Sequence, residues 1–154
     1  MSLIKQLLGV FGVAMVPVFE LRGAIPVGIA SGLPFWLVFL TALLGNLLPV
    51  PFLILFTRRV FEWLRTKSPM LERFVSRLEK KAAAKEELLK KYELLGLCVL
   101  VAIPLPGTGA WTGALLAVLL GMKAKKSLPF IFGGVLIAGL IMSMISFGIL
   151  KSIF

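Results

Sequence analysis

Val16-Pro17-Val18-Phe19-Glu20-Leu21-Arg22-Gly23-Ala24-Ile25-Pro26-Val27-Gly28-Ile29-Ala30-Ser31-Gly32 sets an acid and a base inside otherwise apolar sequence. Pro17 and Pro26 bracket the pair, and Gly23, Gly28 and Gly32 loosen the backbone around it. A plain membrane helix has no use for these residues. Each charge costs about 3 kcal/mol or more in hydrocarbon. Broken backbone is tolerated at that depth only under protein or beside a water-filled cavity. The stretch therefore reads as a functional site, with the rest of the chain arranged around it.

The surrounding composition fits a membrane protein. The chain has 154 residues, 59% of them hydrophobic, and a mean hydropathy of +1.02. Apolar runs fill both halves, so a single polytopic membrane domain over 1–154 is expected. Leu7 to Val16 flows into the Glu20 stretch without a small-residue cleavage pattern, so no cleavable signal peptide is expected. The net charge of +10 sits mostly between Arg58 and Lys91 and in Lys123–Lys126. Beside hydrophobic segments this is the positive-inside pattern, suited to anionic headgroups. No aromatic-interleaved basic platform accompanies it, which argues against nucleic acid as a partner.

Catalytic options are few. Histidine is absent, Cys98 is the only cysteine, and all seven acidic residues are glutamate. That leaves no Cys/His metal cluster, no Ser–His–Asp triad and no disulfide. Neither an enzyme nor a cofactor is expected. Cys98 reads as a small core residue.

Along the chain, Leu3–Met15 as a helix would rise only about 20 Å, short of a core of about 30 Å. Pro17 interrupts it and Pro26 is expected to interrupt again. Two short arms around a break favour a re-entrant hairpin over one long kinked helix. Pro34 opens the next segment, and Phe35–Phe56 is long enough to span. Pro49 and Pro51 should kink it. Asn46 within it either bonds across helices or lines a substrate path. Arg58-Arg59 is expected to close the span. The charged stretch that follows has Met70, Leu71, Phe74, Val75 and Leu78 at helical spacing, with Ser68-Pro69 as a capped start. It reads as an amphipathic cytoplasmic helix.

Tyr92–Ile103 is another short apolar arm, ending at Pro104-Leu105-Pro106-Gly107-Thr108-Gly109. Ala110–Met122 resumes as a short helix, Lys123–Lys126 reads as a basic loop, and Leu128-Pro129-Phe130 is expected to open the last span. The halves match in layout: Val16-Pro17 with Ile103-Pro104, Gly23-Ala24 with Gly109-Ala110, Gly32 with Gly121, and Leu-Pro-Phe at 33–35 and 128–130. The positive-inside rule then places Arg58–Lys91 and Lys123–Lys126 on one side. This requires both broken segments to return to the face they entered from, which relates the halves by inversion. The expected fold is all-α: an inverted repeat of re-entrant hairpin plus transmembrane helix. Repeat one covers 1–60, a cytoplasmic helix 61–91, and repeat two 92–154.

This layout puts Glu20 and Arg22 near the Pro-Gly-Thr-Gly turn. Backbone N–H groups at the start of the Ala110 helix could hold an anion or the Glu20 carboxylate, and Thr108 could cap that helix. The candidate substrate- and proton-binding set is Glu20, Arg22, Pro26, Asn46, Pro104, Pro106, Gly107, Thr108, Gly109 and Thr112. Glu20 is the candidate proton carrier. The plainer alternative is a permanent Glu20–Arg22 ion pair acting as a lock. Two spans and two hairpins do not easily enclose a pathway, so a homodimer is expected, with Gly133-Gly134 and Gly139 allowing close helix approach.

Pro17, Glu20-Leu21-Arg22-Gly23-Ala24-Ile25-Pro26 and Gly28, together with Ile103-Pro104-Leu105-Pro106-Gly107-Thr108-Gly109-Ala110-Trp111-Thr112-Gly113, resemble the motifs of the small multidrug export protein family of bacteria and archaea. The resemblance covers nearly the whole chain and implies export of a small molecule across the cell membrane. More distantly, the layout resembles DedA-type membrane proteins. That implies paired re-entrant hairpins and movement of lipid phosphates, including a polyprenyl-phosphate carrier, with proton coupling. A transporter, a lipid-phosphate translocase and a non-transport scaffold built on the charged helix are thus the readings to separate.

Overall fold

A computed structural model describes residues 2–84, 92–105 and 107–153. Among these residues every regular element is a helix. In order they are α1 (Leu3–Met15), α2 (Glu20–Ala30), α3 (Phe35–Leu47), α4 (Pro49–Lys67), α5 (Pro69–Ala84), α6 (Glu93–Ala102), α7 (Ala110–Leu119) and α8 (Ala124–Ile153). Two stretches are long and apolar enough to cross a membrane: Phe35–Lys67, made of α3 and α4, and Ala124–Ile149.

Prolines act at some of the expected places and not at others. At Leu48 the span changes from α3 to α4, because Pro49 and Pro51 offer no N–H to the carbonyls one turn earlier. Pro26, expected to break the chain, instead lies inside α2. It removes a single backbone bond, the one to Arg22, and the helix continues around it. Pro129 likewise sits inside α8, which already begins at Ala124. Lys125 and Lys126 therefore occupy the first turn of that helix and do not form a loop. The helix does not end at Arg58-Arg59 either. With no glycine or proline after it, α4 runs on to Lys67, taking in 61–67. Ser68 then caps α5, its Oγ accepting the Met70 N–H at 3.3 Å. The second part of the expected charged helix, 85–91, lies outside the described residues.

The two halves close their short helices in the same way. At the end of α2, the N–H of Gly32 donates to Ile29 and that of Leu33 to Gly28. At the end of α7, the N–H of Gly121 donates to Val118 and that of Met122 to Ala117. Both are Schellman endings. Both need a left-handed residue, and Gly32 and Gly121 have φ of +74° and +66°. Aligning these endings pairs Phe35 with Ala124, the first residues of α3 and α8. The Leu-Pro-Phe tripeptides therefore fall at different structural positions.

Packing repeats as well. α1 lies against α2 and α3; α6 lies against α7 and α8. The first crossing is set by Gly45, where an added Cβ would come within 2.6 Å of the Phe11 carbonyl. The second is set by Gly134, where a Cβ would come within 2.6 Å of the Cys98 carbonyl and 2.7 Å of Val101. Gly139 sits against the Phe39 ring. Gly134 and Gly139, expected to serve contact between copies, are thus used within the chain.

The arms of the first hairpin (α1, α2) do not pack extensively alongside those of the second (α6, α7). Each packs instead on the spans: α2 on α3 and α8, α7 on α4 and α8. Buried Val38, Ala42, Val50, Ile54, Ile131 and Val135 line those contacts. Among the described side chains of α5, Val75 is buried, while Met70 and Phe74 stay exposed.

Gly45→Ala and Gly134→Ala should each destabilise the protein by roughly 1–3 kcal/mol through overpacking against backbone. Gly9→Ala, with open space around it, should be neutral or stabilising by up to about 1 kcal/mol. Denaturation in detergent checks this; equal effects at Gly9 and Gly134 would contradict the assigned crossing.

Candidate functional site

The chain turns between α1 and α2 at Val16–Phe19, where Phe19 and Glu20 both donate to the Val16 carbonyl. This leaves Glu20 with φ of +49°, a left-handed conformation that costs a side-chain-bearing residue about 1–2 kcal/mol. No other residue except glycine has a positive φ among the described residues. The turn aims the Glu20 side chain away from its own hairpin. Glu20 is 4% exposed, and its Oε1 accepts the backbone N–H of Trp111 at 3.2 Å. That amide belongs to the first turn of α7.

Arg22 reaches the other side of the same break. Nη1 donates to the Leu105 carbonyl, and Nη2 to the Ile103 carbonyl at 3.1 Å and to Thr108 Oγ1 at 3.0 Å. Ile103 is the residue that ends α6. So the acid holds the amino end of α7 and the base holds the carboxyl end of α6. Each charge matches the helix dipole it faces, an effect worth about 0.3–1 kcal/mol when exposed and up to about 2 kcal/mol when partly buried.

The alternative, a direct Glu20–Arg22 ion pair, is not formed. Among the described residues the one salt bridge joins Arg65 of α4 to Glu79 of α5; Glu20 and Arg22 spend their hydrogen bonds on backbone and the Thr108 hydroxyl across the break. Thr108 does not cap α7 either. Its hydroxyl is turned toward the Ile103 and Leu105 carbonyls, where it completes the acceptor cluster around Arg22. The carboxylate is the stronger acceptor for the α7 amides, and Glu20 takes that place.

Gly109 explains how the acid comes so close. It has φ of +134°, and an added Cβ would overlap the Glu20 carboxyl group, 2.8 Å from Cδ. Gly107, with φ of +80°, makes the preceding bend. Pro104 lies in the turn between α6 and α7, and Pro106 lies outside the described residues. Pro26 stays on α2, one turn beyond Arg22. Asn46 is apart from this cluster. It is 1% exposed on α3, and its Oδ1 has no hydrogen-bond partner among the described residues.

A cavity of about 380 Å³ separates α6 from α7. Gly107 and Thr112 line its end near the break, Glu93 lines its other end, and Leu97, Leu100, Leu115 and Leu116 form walls. Thr112 therefore faces the cavity and not the Glu20–Arg22 contacts. Glu93 was not a candidate on sequence, where it fell within the arm read as apolar, Tyr92–Ile103. Arg58 was also missed: from α4 its Nη2 donates to the Met122 carbonyl at 2.8 Å, just past the end of α7. Its only signal was the Arg58-Arg59 pair, which read as a membrane boundary.

A family model described as "Putative small multi-drug export protein" matches residues 20–141, which begins at Glu20 and takes in every site residue named above. The chain belongs to this family. It is an all-helical membrane protein of an export family, not of an enzyme family. No curated protein and no solved structure matches it.

Arg22→Lys keeps the charge but loses the fork that reaches three acceptors, so it should destabilise by about 1.5–3 kcal/mol. Arg65→Lys, in an exposed pair, should cost less than about 1 kcal/mol. Thermal denaturation in one detergent compares them; equal losses would contradict the clamp at the break.

Proposed function

We propose that this chain is a secondary transporter that moves a small molecule in exchange for a proton, with Glu20 and Arg22 at a midplane site between two re-entrant hairpins. The observation that carries the proposal is the reach of both side chains from one hairpin to the two helix ends of the other. The short arms are each roughly 15–20 Å long. Joined tip to tip they cover roughly the 30 Å of a bilayer core. Hairpins that touch at their tips, without packing alongside each other, fit insertion from opposite faces. The positive-inside rule supports the same inversion, with α5 and Lys123–Lys126 cytoplasmic. The matched helix endings and glycine crossings support the internal repeat.

Glu20 supplies the coupling. Ionised, it is a charge-assisted acceptor for the start of α7. Protonated, it loses the charge that α7 favours, and the two hairpins are released from each other at that end. The cavity between α6 and α7 then lies beside the part that moves, with Glu93 at its far end suiting a cationic substrate. Alternating access follows when the tips separate on one side of the site at a time. A lipid-phosphate site fits less well: the α7 amino end is already filled by Glu20, and the Arg22 fork is engaged by three acceptors.

Proteoliposomes holding the purified protein test this with ethidium as the probe. An imposed pH gradient should drive ethidium across, and Glu20→Gln should abolish the gradient-driven part while the protein stays folded. Undiminished gradient-driven transport by folded Glu20→Gln would sink the coupling role.

A further inference from the structure

Helix α5 carries a groove that the proposed transport does not use. Glu72, Arg73, Ser76, Arg77 and Lys80 line about 450 Å³ along one side of it. Arg73, Arg77 and Lys80 follow one another at i, i+4 and i+7, which sets three cations in one row. All three are exposed. None has an ion-pair partner among the described residues, where Glu79 of the same helix is taken by Arg65. Glu72 alone opposes them, so the groove is cationic on balance.

The fold keeps this groove at the membrane surface. Phe35–Lys67 is 33 residues long, a rise of about 50 Å as helix. A hydrocarbon core is about 30 Å thick, and about 40–45 Å with its headgroups. The end of α4 therefore reaches through the headgroup layer. Lys67 Nζ lies 5.3 Å from the centre of the Trp63 ring there, an aromatic and a cation of the kinds that anchor helices at an interface. After Ser68, α5 does not run free into water. Val75 is buried, Glu79 pairs with Arg65, and α5 touches both α4 and α7. Val75 is about 200° around the helix from Arg73 and from Arg77, so the cationic row faces away from the protein. Met70, 80% exposed, and Phe74, 58% exposed, give that row an apolar edge.

We infer that the groove binds the phosphate of an anionic phospholipid headgroup, while Met70 and Phe74 dip toward the acyl chains. Charge complementarity and level select this occupant together. Basic residues beside an apolar edge make an interfacial helix, and anionic lipids offer charge and hydrocarbon at that one depth. The arginine forks suit phosphate oxygens, and the Ser76 hydroxyl adds a donor. An acidic protein would match the cations but would meet them from water, with no use for the apolar edge. The inference requires α4 to cross the bilayer; it does not rest on proton coupling at Glu20.

Spin-labelled lipids test this in liposomes holding the full chain. Electron paramagnetic resonance separates protein-bound from bulk lipid, for phosphatidylglycerol against phosphatidylcholine. The native chain should prefer phosphatidylglycerol by roughly fivefold or more, since fivefold is what one basic residue near an anionic surface contributes. Arg73→Gln, Arg77→Gln and Lys80→Gln together should bring the ratio close to one. Glutamine keeps the helix propensity, and the replaced side chains are exposed. Lys123→Gln, Lys125→Gln and Lys126→Gln together remove equal charge and should leave the preference in place. No preference in the native chain, or equal loss in the two triple variants, overturns the inference. The native preference should persist in excess inorganic phosphate; its loss there would assign the groove to free phosphate and overturn the lipid. A nitroxide at Phe74→Cys in a Cys98→Ala background should be accessible to oxygen. Access only to a water-soluble nickel chelate would put α5 in water, where an acidic protein would be its partner, and overturns the inference as well.

Discussion

The fold depends on a charge pair that is used separately. Glu20 and Arg22 are two residues apart, and neither neutralises the other directly. One meets the positive end of α7 and the other the negative end of α6. Breaking a helix at bilayer depth exposes amides on one side of the break and carbonyls on the other. The first hairpin provides an acceptor for the former and a donor for the latter. Arg58 repeats the device at the far end of α7 through Met122. The second broken segment is therefore held at its helix ends by side chains of the first half.

This division of labour explains why the two halves differ despite their shared layout. Both have Schellman endings, glycine crossings and a short arm packed on a span. Only the first carries charge at its break. The second contributes backbone, a threonine hydroxyl and two glycines in conformations open to a close approach. Gly109 matters most among these, because a side chain there would occupy the space of the Glu20 carboxyl group.

Much of this was legible in the sequence. Charges inside an apolar run, flanked by proline and glycine, located the first break, the Pro-Leu-Pro-Gly-Thr-Gly run located the second, and Gly32 and Gly121 located the helix endings. The rest was not legible. Pro26 was read as a breaker and Pro129 as part of a helix start, but each removes a single bond from a helix that packing sustains. The Leu-Pro-Phe match was a coincidence of composition, since helix endings and not tripeptides set the register. The Glu20 carboxylate was legible as an acceptor for the start of α7, but Thr108 was offered as a cap beside it, and spacing alone does not show that its hydroxyl turns to the carbonyls around Arg22 instead. Arg58 was hidden because its partner is a backbone carbonyl beyond α7, and backbone carbonyls carry no sequence signal.

The central claim is that the Glu20 carboxylate caps α7 across the two hairpins, and it is directly measurable in a bilayer. Solid-state NMR on protein labelled with ¹³C at glutamate Cδ and ¹⁵N at the tryptophan amide reads that contact. The 3.2 Å hydrogen bond to Trp111 predicts strong carbon–nitrogen dipolar dephasing from one glutamate, lost in Glu20→Gln. Dephasing that is absent, or unchanged in folded Glu20→Gln, would contradict the account.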